Sequence, residues 1–147
     1  MTESTFTIIS GKRAPLEARR GLEQLLDAYP PMTRFDAKLC LTELVTNVIE
    51  HAGIPSGAPI EVLVRGDDGA WLRLDVRYAG SGFVPGANQS RSGTEKGRGL
   101  ALVDAVSDSW GTASDEGHVW VELRVGSWER DARKPASMGG ARTRLSA

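Results

Sequence analysis

Glu43, Asn47 and His51 recur at every fourth position of Glu43-Leu44-Val45-Thr46-Asn47-Val48-Ile49-Glu50-His51-Ala52. On a helix, positions four apart lie only roughly 40° from one another around the axis. A carboxylate, a carboxamide and an imidazole therefore share one ridge. Leu41, Leu44, Val45, Val48 and Ala52 form another face, at the spacing of a helix that packs on a core. A proton acceptor one turn from a neutral oxygen ligand suits a site that handles a hydrated cation and a phosphate. The same spacing also describes an amphipathic helix with a polar side in solvent. The helix alone does not choose between these readings.

Two glycine-bearing segments bear on the choice. Gly80-Ser81-Gly82-Phe83 directly follows a strand-like run, where glycines permit tight turns and close approach of a ligand. Gly97-Arg98-Gly99-Leu100 opens a helix, where free backbone N–H groups attract anions and a phosphate can come close to glycine. Each motif is weak in isolation. Their order and spacing after the polar-ridged helix are more specific.

These pieces need elements to position them. Thr5 to Ile9 read as an edge strand. Pro15 lies near the start of a first helix, whose stripe of Leu22, Leu25, Leu26 and Tyr29 ends at Pro30-Pro31. A second helix starts at Thr33, an N-cap residue type, and runs to His51. Ile60, Val62 and Val64 alternate with polar residues before a turn at Asp67-Asp68-Gly69. The return strand, Trp71 to Tyr78, puts Leu72, Leu74, Val76 and Tyr78 on one face and Arg73, Asp75 and Arg77 on the other, which is expected to be wet. Residues 79–99 form a long glycine-rich loop. Leu100 to Ser107 read as a third helix, Trp110 as part of a short strand, and Val119, Val121, Leu123 and Val125 as one face of the last strand.

The chain has 147 residues, 40% apolar and 25% charged, which suits one globular domain with a single core. Its net charge of −1 gives no reason to expect a nucleic-acid or anionic-membrane surface. The single cysteine, Cys40, excludes an intrachain disulfide and reads as a buried thiol. No apolar run reaches the length of a membrane span, and Met1 to Thr5 lack the features of a secretory signal, so a cytoplasmic setting is expected. Residues 126–147, with Arg130, Arg133, Lys134, Arg142 and Arg144 against Glu129 and Asp131, read as a disordered basic tail.

Taken together, the ridge and the two glycine motifs resemble the GHKL ATPase/kinase superfamily, which has the Bergerat nucleotide-binding fold. Glu-Leu-Val-Thr-Asn-Val-Ile-Glu-His-Ala and residues 97–111, Gly-Arg-Gly-Leu-Ala-Leu-Val-Asp-Ala-Val-Ser-Asp-Ser-Trp-Gly, resemble the anti-sigma-factor serine/threonine kinases of the RsbW and SpoIIAB type. The likeness covers about residues 5–125. It implies an α/β (α+β) two-layer sandwich, with three helices on one face of a mixed, mostly antiparallel sheet of about five strands. It also implies ATP and Mg²⁺ as ligands, with Asn47 helping to bind the metal and Glu43 as general base toward a serine or threonine hydroxyl. Gly80 and Gly82 would lie beside the adenine, and Gly97, Gly99 and Leu100 beside the phosphates. Residues 84–96 would form the nucleotide lid, with Arg91, Lys96 and Arg98 offsetting phosphate charge. The implied partners are a sigma factor and an anti-anti-sigma protein, with a homodimer as a further implication. His51 matches the family's wording as a ligand or as a helix-end packing residue.

One position departs from the family. Its strand-end motif is Asp-x-Gly-x-Gly, and the aspartate accepts a hydrogen bond from the adenine amine. Here Tyr78 stands in that place. Asp75 lies three residues away on the other strand face, and Asp67 and Asp68 sit in the preceding turn. Two functions are compatible with this pattern: an ATP-dependent protein kinase, and a nucleotide-deficient pseudo-kinase that binds its partners without turnover.

Overall fold

The computed structural model describes residues 1–67, 70–79, 98–113 and 117–125. Strand β1 (Thr2–Ile9) is followed by helices α1 (Ala14–Glu23) and α2 (Pro31–His51) and a hairpin of β2 (Pro59–Asp67) and β3 (Trp71–Tyr78). Helix α3 (Arg98–Val106) and strands β4 (Ser109–Ala113) and β5 (His118–Arg124) complete the chain. The sheet order is β1-β2-β3-β5-β4, with β1 at one edge as expected. Every neighbouring pair is antiparallel, so the sheet lacks the parallel pairing that a mixed sheet implies. The result is an α+β two-layer sandwich.

Register explains the core. Phe6, Val62, Val76, Val119 and Thr112 lie side by side across all five strands, and Ser4, Val64, Leu74, Val121 and Trp110 form the next row. These residues face the helices, and most are buried with Leu41, Leu44, Val45 and Val48 of α2. Cys40 is buried, and burial, reinforced by the nearby carboxylates of Asp36 and Glu43, pushes its thiol well above the ordinary range. It acts as a small core residue.

Element ends differ from the sequence reading in physically simple ways. Helix α2 starts at Pro31 rather than Thr33, because proline has no N–H to satisfy in a first turn and its φ is already helical. Thr33 is buried instead of capping. Helix α1 stops at Glu23, yet Leu26 and Tyr29 still reach the core from the turns beyond it. Tyr29 packs on Gly66, where a Cβ would come within 2.0 Å of its hydroxyl, and that hydroxyl donates to the Trp71 carbonyl at 3.1 Å. Helix α3 begins at Arg98, two residues before the expected start.

The largest correction concerns the sheet face away from the helices. It was expected to be wet, but Asp75 is fully buried and Trp120, its cross-strand neighbour, is 4% exposed. The absence of a side chain at Gly111 allows the Trp120 indole to lie against β4, where a Cβ would meet the ring at 2.9 Å. Arg73 stacks over that indole at 4.4 Å. It also donates to Asp75 from Nε (3.0 Å to Oδ2) and Nη2 (3.1 Å to Oδ1), and to Glu122 from Nη1 at 3.0 Å. Arg65 and the His118 ring complete the cluster, at 3.3 and 2.6 Å from the Asp75 carboxylate. Alternation alone predicts which face a side chain takes; it does not predict that neighbouring side chains will cover it.

Burial alone would raise the Asp75 pKa, but the hydrogen bonds from His118 and Arg73 outweigh it and hold the group well below the usual carboxylate range. A depressed native pKa stabilises the fold above the unfolded value, and that contribution disappears as the pH drops. Asp75→Asn should therefore cost about 3 kcal/mol at neutral pH, because it leaves buried cations without a counter-charge. In the wild type, the Asp75 contribution should fade below about pH 4. Denaturant unfolding of both proteins across pH checks this: the gap between them should be widest at neutral pH and shrink in acid.

Candidate functional site

Helix α2 is held by α1 on one flank, α3 on the other and β3 and β5 beneath. With its apolar face fixed on the sheet, the ridge carrying Glu43 and Asn47 has a set direction. Asn47 is 4% exposed, and its Nδ2 donates to the Glu43 carbonyl oxygen at 2.8 Å. Because a carbonyl only accepts, the atom facing it is the amide nitrogen. Oδ1 is thereby the amide atom left to accept or to coordinate. A neutral oxygen held this way suits a hard cation such as Mg²⁺.

Glu43, one turn earlier, is partly buried. Burial first, and the charge of Glu50 second, raise its pKa above the ordinary glutamate value. A raised carboxylate is a stronger base while it stays ionised. Glu43 also lines a cleft of about 570 Å³ between α1 and α2, together with Leu16, Arg19, Arg20, Phe35 and Leu39. Phe35, one of its lining residues, is exposed.

His51 occupies the last turn of α2, with its ring nitrogen 3.7 Å from Glu50 Oε2. It thus stands beside Glu50 at the end of the helix. Glu50 is the residue the sequence reading missed. It lies seven residues from Glu43 and three from Asn47, spacings that keep it on the same ridge.

Tyr78 ends β3 opposite Ile60, is 7% exposed within the core cluster, and donates its backbone N–H to the Gly117 carbonyl at 2.9 Å. Among the described residues of β3, no carboxylate replaces it. Asp75 faces the other side of the sheet, with both oxygens engaged by Arg65, Arg73 and His118. Leu100 is buried in α3 against the core, and Arg98 and Gly99 belong to the backbone of that helix's first turn. Gly80, Gly82, Arg91, Lys96 and Gly97 lie outside the described residues, as do the expected lid at 84–96 and the tail at 126–147. Among the described residues, no helix is long and apolar enough to cross a membrane. None of their acidic, histidine or cysteine side chains form a group able to hold a metal by themselves.

Glu50→Gln should remove the second cause of the Glu43 shift. In a carboxyl-resolved NMR titration, Glu43 should titrate above the usual glutamate value in the wild type and closer to it in the variant. An identical curve in both proteins would remove Glu50 from the site.

A comparison with curated proteins returns no match. The family model for the histidine kinase-like ATPase domain matches residues 13–125, a span from the turn before α1 to the end of β5 that includes the α2 ridge and Tyr78. With most of its length covered in this way, the chain belongs to the histidine kinase-like ATPase domain family.

Proposed function

We propose that this protein is an ATP-dependent serine/threonine kinase of the anti-sigma type, which phosphorylates an anti-anti-sigma protein and otherwise holds a sigma factor. The carrying observation is that Glu43 lines the α1–α2 cleft one helical turn from Asn47, whose Nδ2 is held by the Glu43 carbonyl. A base placed between a phosphate-and-metal wall and an open surface groove suits transfer to another macromolecule better than attack by water alone. The wording of residues 43–52 and 97–111 supports the anti-sigma assignment within the family.

In this reading the acceptor segment enters along the cleft, where Leu16 and Phe35 meet its apolar side chains and Arg19 and Arg20 its acidic ones. The hydroxyl oxygen attacks the γ-phosphorus, the bond from phosphorus to the ADP oxygen breaks, and the hydroxyl proton passes to Glu43. Asn47 would hold Mg²⁺ through Oδ1, with its amide nitrogen kept in place by the Glu43 carbonyl. When bound, Mg²⁺ offsets charge on the phosphates. The residues at this end fit the ion.

The adenine end fits less well, and this supports a second reading. A buried tyrosine replaces the carboxylate that would accept from the adenine amine. Losing a hydrogen bond to a charged group costs about 1.5–3 kcal/mol, roughly 10- to 150-fold in affinity. A pseudo-kinase that binds its partners without turnover has the same fold and the same cleft.

Calorimetry with Mg-ATP separates the two. Saturable binding by the wild type, tightened roughly tenfold or more in Tyr78→Asp, is the outcome expected for the kinase. No binding by the wild type, with binding gained in Tyr78→Asp, would establish the pseudo-kinase.

A separate assay addresses Glu43. Glu43→Gln should lower phosphoryl transfer by about 10²- to 10⁴-fold with nucleotide affinity largely kept. An unaltered transfer rate would take the base role from Glu43.

A further inference from the structure

A cleft of about 530 Å³ opens beside Arg65, Trp71, Arg73, Glu122 and Arg124, on the sheet face away from the helices. Register places it there. Arg65, Arg73 and Glu122 stand abreast on β2, β3 and β5, and Trp71 and Arg124 are direct cross-strand partners in the neighbouring row. The volume lies within the range of small-molecule pockets, about 300–1,000 Å³.

The three arginines differ in what they have left to give. Arg73 spends Nε, Nη1 and Nη2 on Asp75 and Glu122. Arg65 makes one bond, from Nη2 to Asp75 Oδ2 at 3.3 Å, and its Nε–H is buried without a partner. Arg124 is anchored through its backbone N–H, which donates to Asp108 Oδ2 at 2.6 Å, and its guanidinium forms no ion pair among the described residues. The Arg65 Nε–H is sealed from solvent, but its Nη1 makes no bond among the described residues and is open to an incoming oxyanion. Two guanidinium groups with donors to spare therefore line one cleft with an indole between strands. Guanidinium forks match the oxygens of phosphate and carboxylate groups, and an indole face suits a flat apolar body.

We propose that this cleft binds a small molecule that carries an oxyanion on an aromatic body. Arg65 and Arg124 hold the anion, and Trp71 covers the ring. The site is separate from the Glu43/Asn47 ridge, which lies in the helical layer on the other side of the sheet. Strand β3 belongs to both, with Arg73 on one face and Tyr78 on the other.

Calorimetry at low ionic strength with phenyl phosphate, benzoate and inorganic phosphate tests this. One of the two aromatic anions should bind saturably to the wild type, and more tightly than inorganic phosphate. Tighter phenyl phosphate identifies the natural anion as a phosphate, and tighter benzoate as a carboxylate. Arg124→Ala, which removes no bond seen in the fold, and Arg65→Ala should each weaken binding about tenfold or more. Trp71→Ala should erase the advantage over inorganic phosphate, and Asn47→Ala should leave binding unchanged. No saturable binding by the wild type at roughly 10 mM would overturn the proposal. So would binding that is lost in Asn47→Ala and kept in Arg124→Ala.

Discussion

Burial of Cys40, Leu41, Leu44, Val45 and Val48 against the sheet fixes the rotation of α2 about its own axis, and the candidate site depends on that angle. A rotation of one residue, about 100°, would carry Glu43 and Asn47 into the core or out to solvent. Leaving those apolar side chains in water would cost about 1.5–3 kcal/mol each, so the helix has one favourable setting. Asn47 reinforces it from the polar side by bonding back to the Glu43 carbonyl. The same packing that stabilises the fold thus orients Glu43 and Asn47, the residues proposed as base and metal ligand. Pre-organisation of this kind lowers the cost of assembling a site around a ligand.

The sheet beneath is more than a platform. Its helix-facing side is an ordinary core, but its other side buries a carboxylate among two arginines, a histidine and an indole. Buried ion clusters of this type are costly to break and bring little net stability relative to an apolar core. Because Asp75 lies three residues before Tyr78 on the same strand, the cluster also pins the segment of β3 that leads to Tyr78. A strand held on both faces resists shifts in register, and register decides where Tyr78 sits. The tyrosine is therefore a built part of the core, packed opposite Ile60, and not a loosely placed substitute for an acid.

Much of this was legible from the chain because periodicity reports directly on burial. The three helices, the five strands, the edge position of β1 and the inward face of β3 all follow from apolar residues at helical or alternating spacing. The ridge of Glu43 and Asn47 was visible for the same reason. Glu50 was visible in principle, through its spacing from both, but nothing local marks an exposed glutamate as electrically coupled to another. Helix ends were less legible, since Thr33 and Pro31 both suit a first turn and the choice depends on what Thr33 can pack against.

Sequence by itself determined the element types, the core faces, the helix ridge and the absence of an acid at position 78, because these depend on residues close together in the chain. Tertiary structure decided the rest. It set which amide atom of Asn47 faces the backbone and whether Glu43 meets a cleft. It also decided whether the second face of the sheet is wet. Those outcomes depend on groups far apart in sequence: Asp75 with His118, Trp120 with Gly111, Glu43 with Leu16. Alternation tells which way a side chain points, and only the folded chain supplies what it meets there.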